Sequence, residues 1–136
     1  NLVEKLLKIE KGEYTKEQTQ RLKSARLTNL TGEDAEIVIK ELGQQQYLNL
    51  AGMALDDEGN AIMDKTYETN ALIVAEAMVE PNIRDEELLK HLGAETPKAA
   101  VEILFKGEVN LIASKVSIAT FGKHHQDHQS IQLIFR

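Results

Sequence analysis

Asp64-Lys65-Thr66-Tyr67-Glu68-Thr69-Asn70-Ala71-Leu72-Ile73-Val74-Ala75-Glu76-Ala77-Met78-Val79-Glu80-Pro81 is the stretch on which the fold turns. Tyr67, Ala71, Val74 and Met78 recur at helical spacing, and Leu72, Ile73, Ala75, Ala77 and Val79 fill most of the other faces. A helix that is apolar nearly all round must be covered on several sides. The stretch therefore predicts a central buried helix over 64–79. Pro81 ends it, because the residue before a proline is pushed out of the α region.

Other helices flank this hub. Downstream, Asp85 can cap a helix carried by Leu88, Leu89 and Leu92 and closed by Gly93. Thr96-Pro97 is a hydroxyl cap followed by proline at the first helical position. The helix it starts carries Ala100, Val101, Leu104 and Phe105 and stops at Gly107, and Val109, Ile112, Ala113 and Val116 mark a last helix to about Ala119. Upstream, Tyr47, Leu50, Ala51 and Ala54 predict a helix over 44–55, and Asp56 to Asn60 reads as a loop. The segment Glu36-Ile37-Val38-Ile39-Lys40-Glu41-Leu42 is the best strand, with three consecutive β-branched residues. A weaker strand precedes it over 18–23, then a short helix capped by Ser24 and ended by Thr31-Gly32, so a small hairpin or ribbon should form near the front. At the start, Leu2, Val3, Leu6, Leu7 and Ile9 place apolar side chains on one face of a short helix stopped by Gly12. The fold class is mainly α: a single helical domain with a small N-terminal antiparallel β element, formally α+β.

Composition limits the chemistry. The 136 residues carry a formal net charge of −6, no cysteine, no tryptophan and six other aromatic residues. Without cysteine there is no disulfide scaffold, thiolate zinc site, iron–sulfur cluster or thiol nucleophile. No window approaches eighteen uninterrupted apolar residues, and Asn1-Leu2-Val3-Glu4-Lys5 lacks the basic and then apolar order of a secretory signal, so neither membrane insertion nor export is expected. The acidic balance disfavours phosphate-backbone binding, which needs clustered Lys and Arg.

Four constellations invite sharper readings. His124, His125, Asp127 and His128 have ligand spacing for a divalent ion, against the plainer reading of an exposed polar tail. Asp56-Asp57-Glu58-Gly59-Asn60 hints at calcium, but its glycine comes too early and Lys65 falls near the position of the required acid, so a solvated turn is expected. Acid pairs sit in predicted loops or first helical turns, which carboxylates occupy simply because they suit the positive helix end. Glu86 to Phe105 imitates a helix-turn-helix, yet its second helix offers only Lys98 and Lys106 for reading bases, set against Glu102. Nucleophile-elbow, P-loop, zincin and dinucleotide signatures are all missing. The material for catalysis is therefore poor, an enzyme is the less favoured reading, and no cofactor is expected.

Several local strings, in order, are similar to a known family. Lys23-Ser24-Ala25-Arg26-Leu27-Thr28-Asn29-Leu30-Thr31-Gly32-Glu33, followed by the Ile37 to Leu42 strand and a helix, resembles the front of phage tail assembly chaperones of the PBSX-like prophage type. So does the later run: the apolar helix closing with Glu80-Pro81-Asn82-Ile83-Arg84-Asp85-Glu86-Glu87-Leu88, then Leu92-Gly93-Ala94, Leu104-Phe105-Lys106-Gly107-Glu108 and Phe121-Gly122-Lys123. The resemblance spans roughly residues 19 to 123. It implies a non-enzymatic helper that binds the tape measure protein, keeps it soluble and assists recruitment of tail tube protein. It also implies action in the host bacterial cytoplasm and absence from the mature virion. Homo-oligomers, no nucleic acid and no membrane complete the expected partner list.

Within that reading Leu2, Leu6 and Ile9 are the candidate partner-binding residues, for self-association or client capture, unless the first helix folds back on the core. The division expected is a domain over 1–122 and a polar, His-rich tail over 123–136. The tail carries a charge of +1 and leaves −7 on the body. Gly122-Lys123 fits the product of a slippery codon pair, so the tail reads either as the sequel to a programmed frameshift or as an ordinary divergent C terminus.

Overall fold

The computed structural model describes residues 1–122. His124, His125, Asp127 and His128, and with them the metal reading and the tail boundary, lie outside the described residues. The order of elements is α1 (Leu2–Leu7), α2 (Lys11–Thr15), β1 (Thr19–Lys23), α3 (Ala25–Thr31), β2 (Glu36–Lys40), α4 (Gln44–Gly52), α5 (Met63–Ala77), β3 (Met78–Glu80), α6 (Glu86–Leu92), α7 (Pro97–Phe105), a single 3₁₀ turn (Lys106–Glu108) and α8 (Val109–Phe121). The fold is mainly helical with one small antiparallel sheet, ordered β1-β2-β3.

Helix α5 is the hub. It packs against α4, α7, α8 and β2, and Ala71, Ile73, Val74, Ala75 and Ala77 along it are buried. Small residues on several faces let neighbouring helices approach closely, while Ile73 and Val74 fill the space between. The helix stops at Ala77, earlier than Pro81 alone predicts. Met78 to Glu80 instead forms β3, with Ile39 opposite Met78 and Val38 opposite Glu80. Sheet pairing takes over the last predicted turn, while the Met78 N–H still donates to the Val74 carbonyl. The expected two-stranded ribbon thus gains a third strand from the middle of the chain.

Locally specified ends fall where the sequence puts them. The side chains of Ser24, Asp85 and Thr96 accept from the backbone N–H groups of Leu27, Leu88 and Ala99 and open α3, α6 and α7. Gly32 and Gly93 close α3 and α6 in the left-handed region. Two predicted stops differ. Gly12 lies inside α2, because the chain already leaves the helix at Lys8 and turns extended at Glu10. At the end of α7 the positive φ falls on Lys106 (43°), one residue before the expected Gly107.

Helix α8 closes the core. Val109, Ile112, Ala113 and Val116 are buried as their spacing predicts. Near its end the Thr120 hydroxyl donates to the Val116 carbonyl and accepts from the Leu42 N–H at 3.1 Å, tying α8 to the exit of β2. Tyr47 of α4 sits beside this junction, fully buried, with its ring edge-on to Phe121 at 5.2 Å between centroids.

Burial pushes the Tyr47 phenol from its ordinary 10.0 up to about 12, against a smaller downward pull from the Ser117 hydroxyl. Below pH 10 both folded and unfolded chains hold this proton. Above it the unfolded chain releases the proton first, so stability falls by about 1.4 kcal/mol per pH unit until the folded phenol also ionises. Urea unfolding followed from neutral pH into this alkaline range should show that loss in the native chain. Tyr47→Phe should remove Tyr47's share of the slope, and an unchanged slope would contradict the assignment.

Candidate functional site

Every residue from Asn1 to Thr19 is exposed. Asn1 and Glu4 form a reciprocal capping box at the start of α1, and the Tyr14 hydroxyl donates to the Leu6 carbonyl, holding α2 against α1. Neither helix buries a residue. The two form a small arm ahead of β1, and α1 does not fold back on the core.

The arm carries apolar side chains that the body leaves exposed. Leu2 is 68% exposed, Leu6 41% and Ile9 44%. Leu2 and Leu6 lie one turn apart on α1, and Ile9 follows on the turn after it, its N–H donating to the Leu6 carbonyl at 3.2 Å. Val3 and Leu7 are exposed as well, so the apolar surface extends around much of a helix only six residues long. Apolar side chains exposed in such density on one short segment differ from the singly scattered exposure normal for a folded chain.

A second opening lies on the body. Leu22, Ile37, Leu111 and Ile112 line a cleft of about 120 Å³ between β1, β2 and α8, with Lys23, Ser24, Glu108 and Lys115 around it. Two of its lining residues, Ser24 and Glu108, form a latch. The Glu108 carboxylate accepts from the Ser24 hydroxyl at 2.6 Å and from the backbone N–H groups of Ala25 and Arg26 at 3.0 and 3.4 Å. The Arg26 Nε–H donates to the Leu104 carbonyl at 2.8 Å. An acid from the α7–α8 junction thereby neutralises the positive end of α3, while Arg26 occupies the negative end of α7. Sequence spacing missed this cleft. The available signal was Leu111, a large apolar residue outside the Val109, Ile112, Ala113 and Val116 set, and it is 60% exposed.

The other candidate constellations find plain structural uses. The Asp56 side chain accepts from the Glu58 and Asn60 N–H groups, both at 2.9 Å, so its carboxylate closes its own turn. Among the described residues no group of three or more His, Asp or Glu side chains is placed to hold a metal ion. Helices α6 and α7 do form a capped pair joined through Gly93. Yet α7 buries Ala100, Val101 and Phe105, and Lys98 is held by Glu102 at 2.9 Å, a hydrogen bond that also raises the lysine pKa. No concentrated basic face remains there for nucleic acid. No helix of the described residues is long and apolar enough to cross a membrane.

Residues 3–129 match the family model for phage XkdN-like tail assembly chaperone proteins. No curated protein and no solved structure matches the chain.

Proposed function

Because the chain belongs to the phage XkdN-like tail assembly chaperone family, we propose that it acts without catalysis, by binding the tape measure protein and assisting recruitment of tail tube protein around it. The observation that carries this reading is the uncovered apolar arm, with Leu2, Leu6 and Ile9 presented to solvent ahead of a folded acidic body. A client that is a long helix with apolar stripes needs an opposing helix face to cover them during assembly. An arm of α1 and α2 meets that need without opening the core. The surrounding charge keeps the complex soluble, since residues 1–122 carry a net −7 against +1 on the tail.

The same face can pair with a second copy, and self-association through Leu2 and Leu6 is the way the free arm would be covered before the client arrives. In this reading the protein works in the host bacterial cytoplasm and leaves before the virion is complete. Co-expression with the long helical tail protein of the same virus tests the proposal. The client is expected in the soluble fraction and in the eluate with this chain. A client that remains insoluble and fails to co-purify would overturn the reading.

A further inference from the structure

Strand β1 is an outer strand of the sheet, and its hydrogen bonds show which main-chain groups are already used. The Ser24 N–H donates to the Ala35 carbonyl at 2.9 Å, and the Glu41 N–H donates to the Gln18 carbonyl at 2.8 Å. With Leu22 opposite Ile37 and Gln20 opposite Ile39, the main chains of residues 18, 20, 22 and 24 face β2. Those of Thr19, Arg21 and Lys23 face away, and no strand among the described residues pairs with them. An outer strand left open in this way is a template for another strand.

What lies beside the edge makes it more than an open row of amides. Leu22 and Lys23 of β1 also wall the cleft whose other side is Leu111, Ile112 and Lys115 of α8. A strand added to β1 sends alternate side chains to opposite faces. One set meets Leu22 and Leu111 in the cleft, whose volume of about 120 Å³ suits a branched aliphatic side chain. The other set runs beside Arg21 and Lys23 on the outer face, with Lys115 at the cleft itself. Arg21 and Lys115 make no ion pair among the described residues, and the Lys23–Asp34 pair is largely exposed, so it competes weakly with a new partner.

We propose that β1 receives an extended segment of another protein, with alternating aliphatic and acidic residues, as a fourth strand of the sheet. Main-chain hydrogen bonds from Thr19, Arg21 and Lys23 supply affinity, the cleft selects the aliphatic positions, and the basic side chains select the acidic ones. A second copy of β1 is a poor occupant, because antiparallel pairing centred on Arg21 sets Arg21 directly against Arg21. This surface is separate from the α1 arm and does not depend on the arm's proposed role.

The test uses the full chain and a blocked octapeptide of alternating valine and glutamate, with an alternating valine and lysine octapeptide as comparison. The acidic peptide is expected to bind with a dissociation constant of about 100 µM or tighter, and the basic one at least about tenfold more weakly. Amide exchange at Thr19, Arg21 and Lys23 should slow on binding, while Leu22, already facing β2, should not change. Leu111→Glu, at an exposed site, should weaken the acidic peptide at least about tenfold without lowering the melting temperature. Arg21→Glu should reverse the preference between the peptides. No binding, equal binding of both peptides, or Arg21→Glu without effect would overturn the proposal. So would protection of these three amides in the free chain: at any concentration it would mean that the chain's own segment holds the edge, and with rising concentration that a second copy does.

Discussion

Phe105→Ala is expected to lower the stability of the folded chain by about 3–5 kcal/mol. Phe105 is fully buried in the core cluster that includes Val101, Val109 and Ile112. It is the last residue of α7, immediately before the Lys106 turn that redirects the chain into α8. Removing the ring forfeits its transfer free energy and leaves a cavity at a junction that cannot collapse freely. The backbone on either side is fixed by the Arg26 bond to Leu104 and by the Glu108 latch on α3. For a domain whose whole stability is on the order of 5–15 kcal/mol, such a loss is a large fraction. Thermal unfolding should shift down by about 10–20 °C. Ile103→Ala is the internal comparison: the side chain is on the same helix but 38% exposed, and its loss should cost about 1 kcal/mol. Equal effects of the two substitutions would show that the core does not centre where the structure puts it.

The contrast between these neighbours explains which parts of the fold were legible in the sequence. Phe105 was legible because a helix repeats its environment every few residues, and Ala100, Val101, Leu104 and Phe105 mark one stripe. Caps were legible for a similar reason: Ser24, Asp85 and Thr96 each act on a backbone group three residues away. What stayed hidden depends on distant partners. Met78 to Glu80 has helical spacing and becomes a strand because β2, some forty residues earlier, offers Val38 and Ile39 for pairing. The positive φ at Lys106 rather than Gly107 is set by how α7 and α8 must meet, and no local preference overrides that geometry. Gly12 failed as a stop for the converse reason, since it has a negative φ and its place in α2 asks nothing special of a glycine.

The candidate surfaces divide along the same line. The spacing of Leu2, Leu6 and Ile9 was visible in the sequence, but whether the helix returned to the core was not, because the amphipathic pattern of a packed helix and of an interacting arm is the same. Exposure of the whole segment places the helix off the core. The β1 edge was invisible for a deeper reason. A strand of mixed polar residues such as Thr19-Gln20-Arg21-Leu22-Lys23 gives no sign of which neighbour it lacks, and only the strand order supplies it.

If the arm holds the tape measure protein as proposed, replacing Leu2, Leu6 and Ile9 together by serine should weaken that binding while leaving the body folded. The three side chains are already partly covered by their own arm, so further burial against a client is worth about 1 kcal/mol each rather than the full value for an aliphatic side chain. Their joint loss is then about 3 kcal/mol, or roughly 150-fold in affinity. The capping box uses the Asn1 side chain and Glu4 rather than Leu2, so the helix start survives the substitution. None of the three residues belongs to the core cluster, and unfolding of the body should move by no more than about 0.5 kcal/mol. Lys5→Ser with Lys8→Ser changes the same short segment without removing apolar surface and should retain the client. Retention by the triple serine variant, with its melting temperature unchanged, would show that the client is held elsewhere. Loss in the triple variant together with retention in the lysine pair would assign the contact to the apolar side chains of the arm, because the two variants differ in that surface and share an intact body.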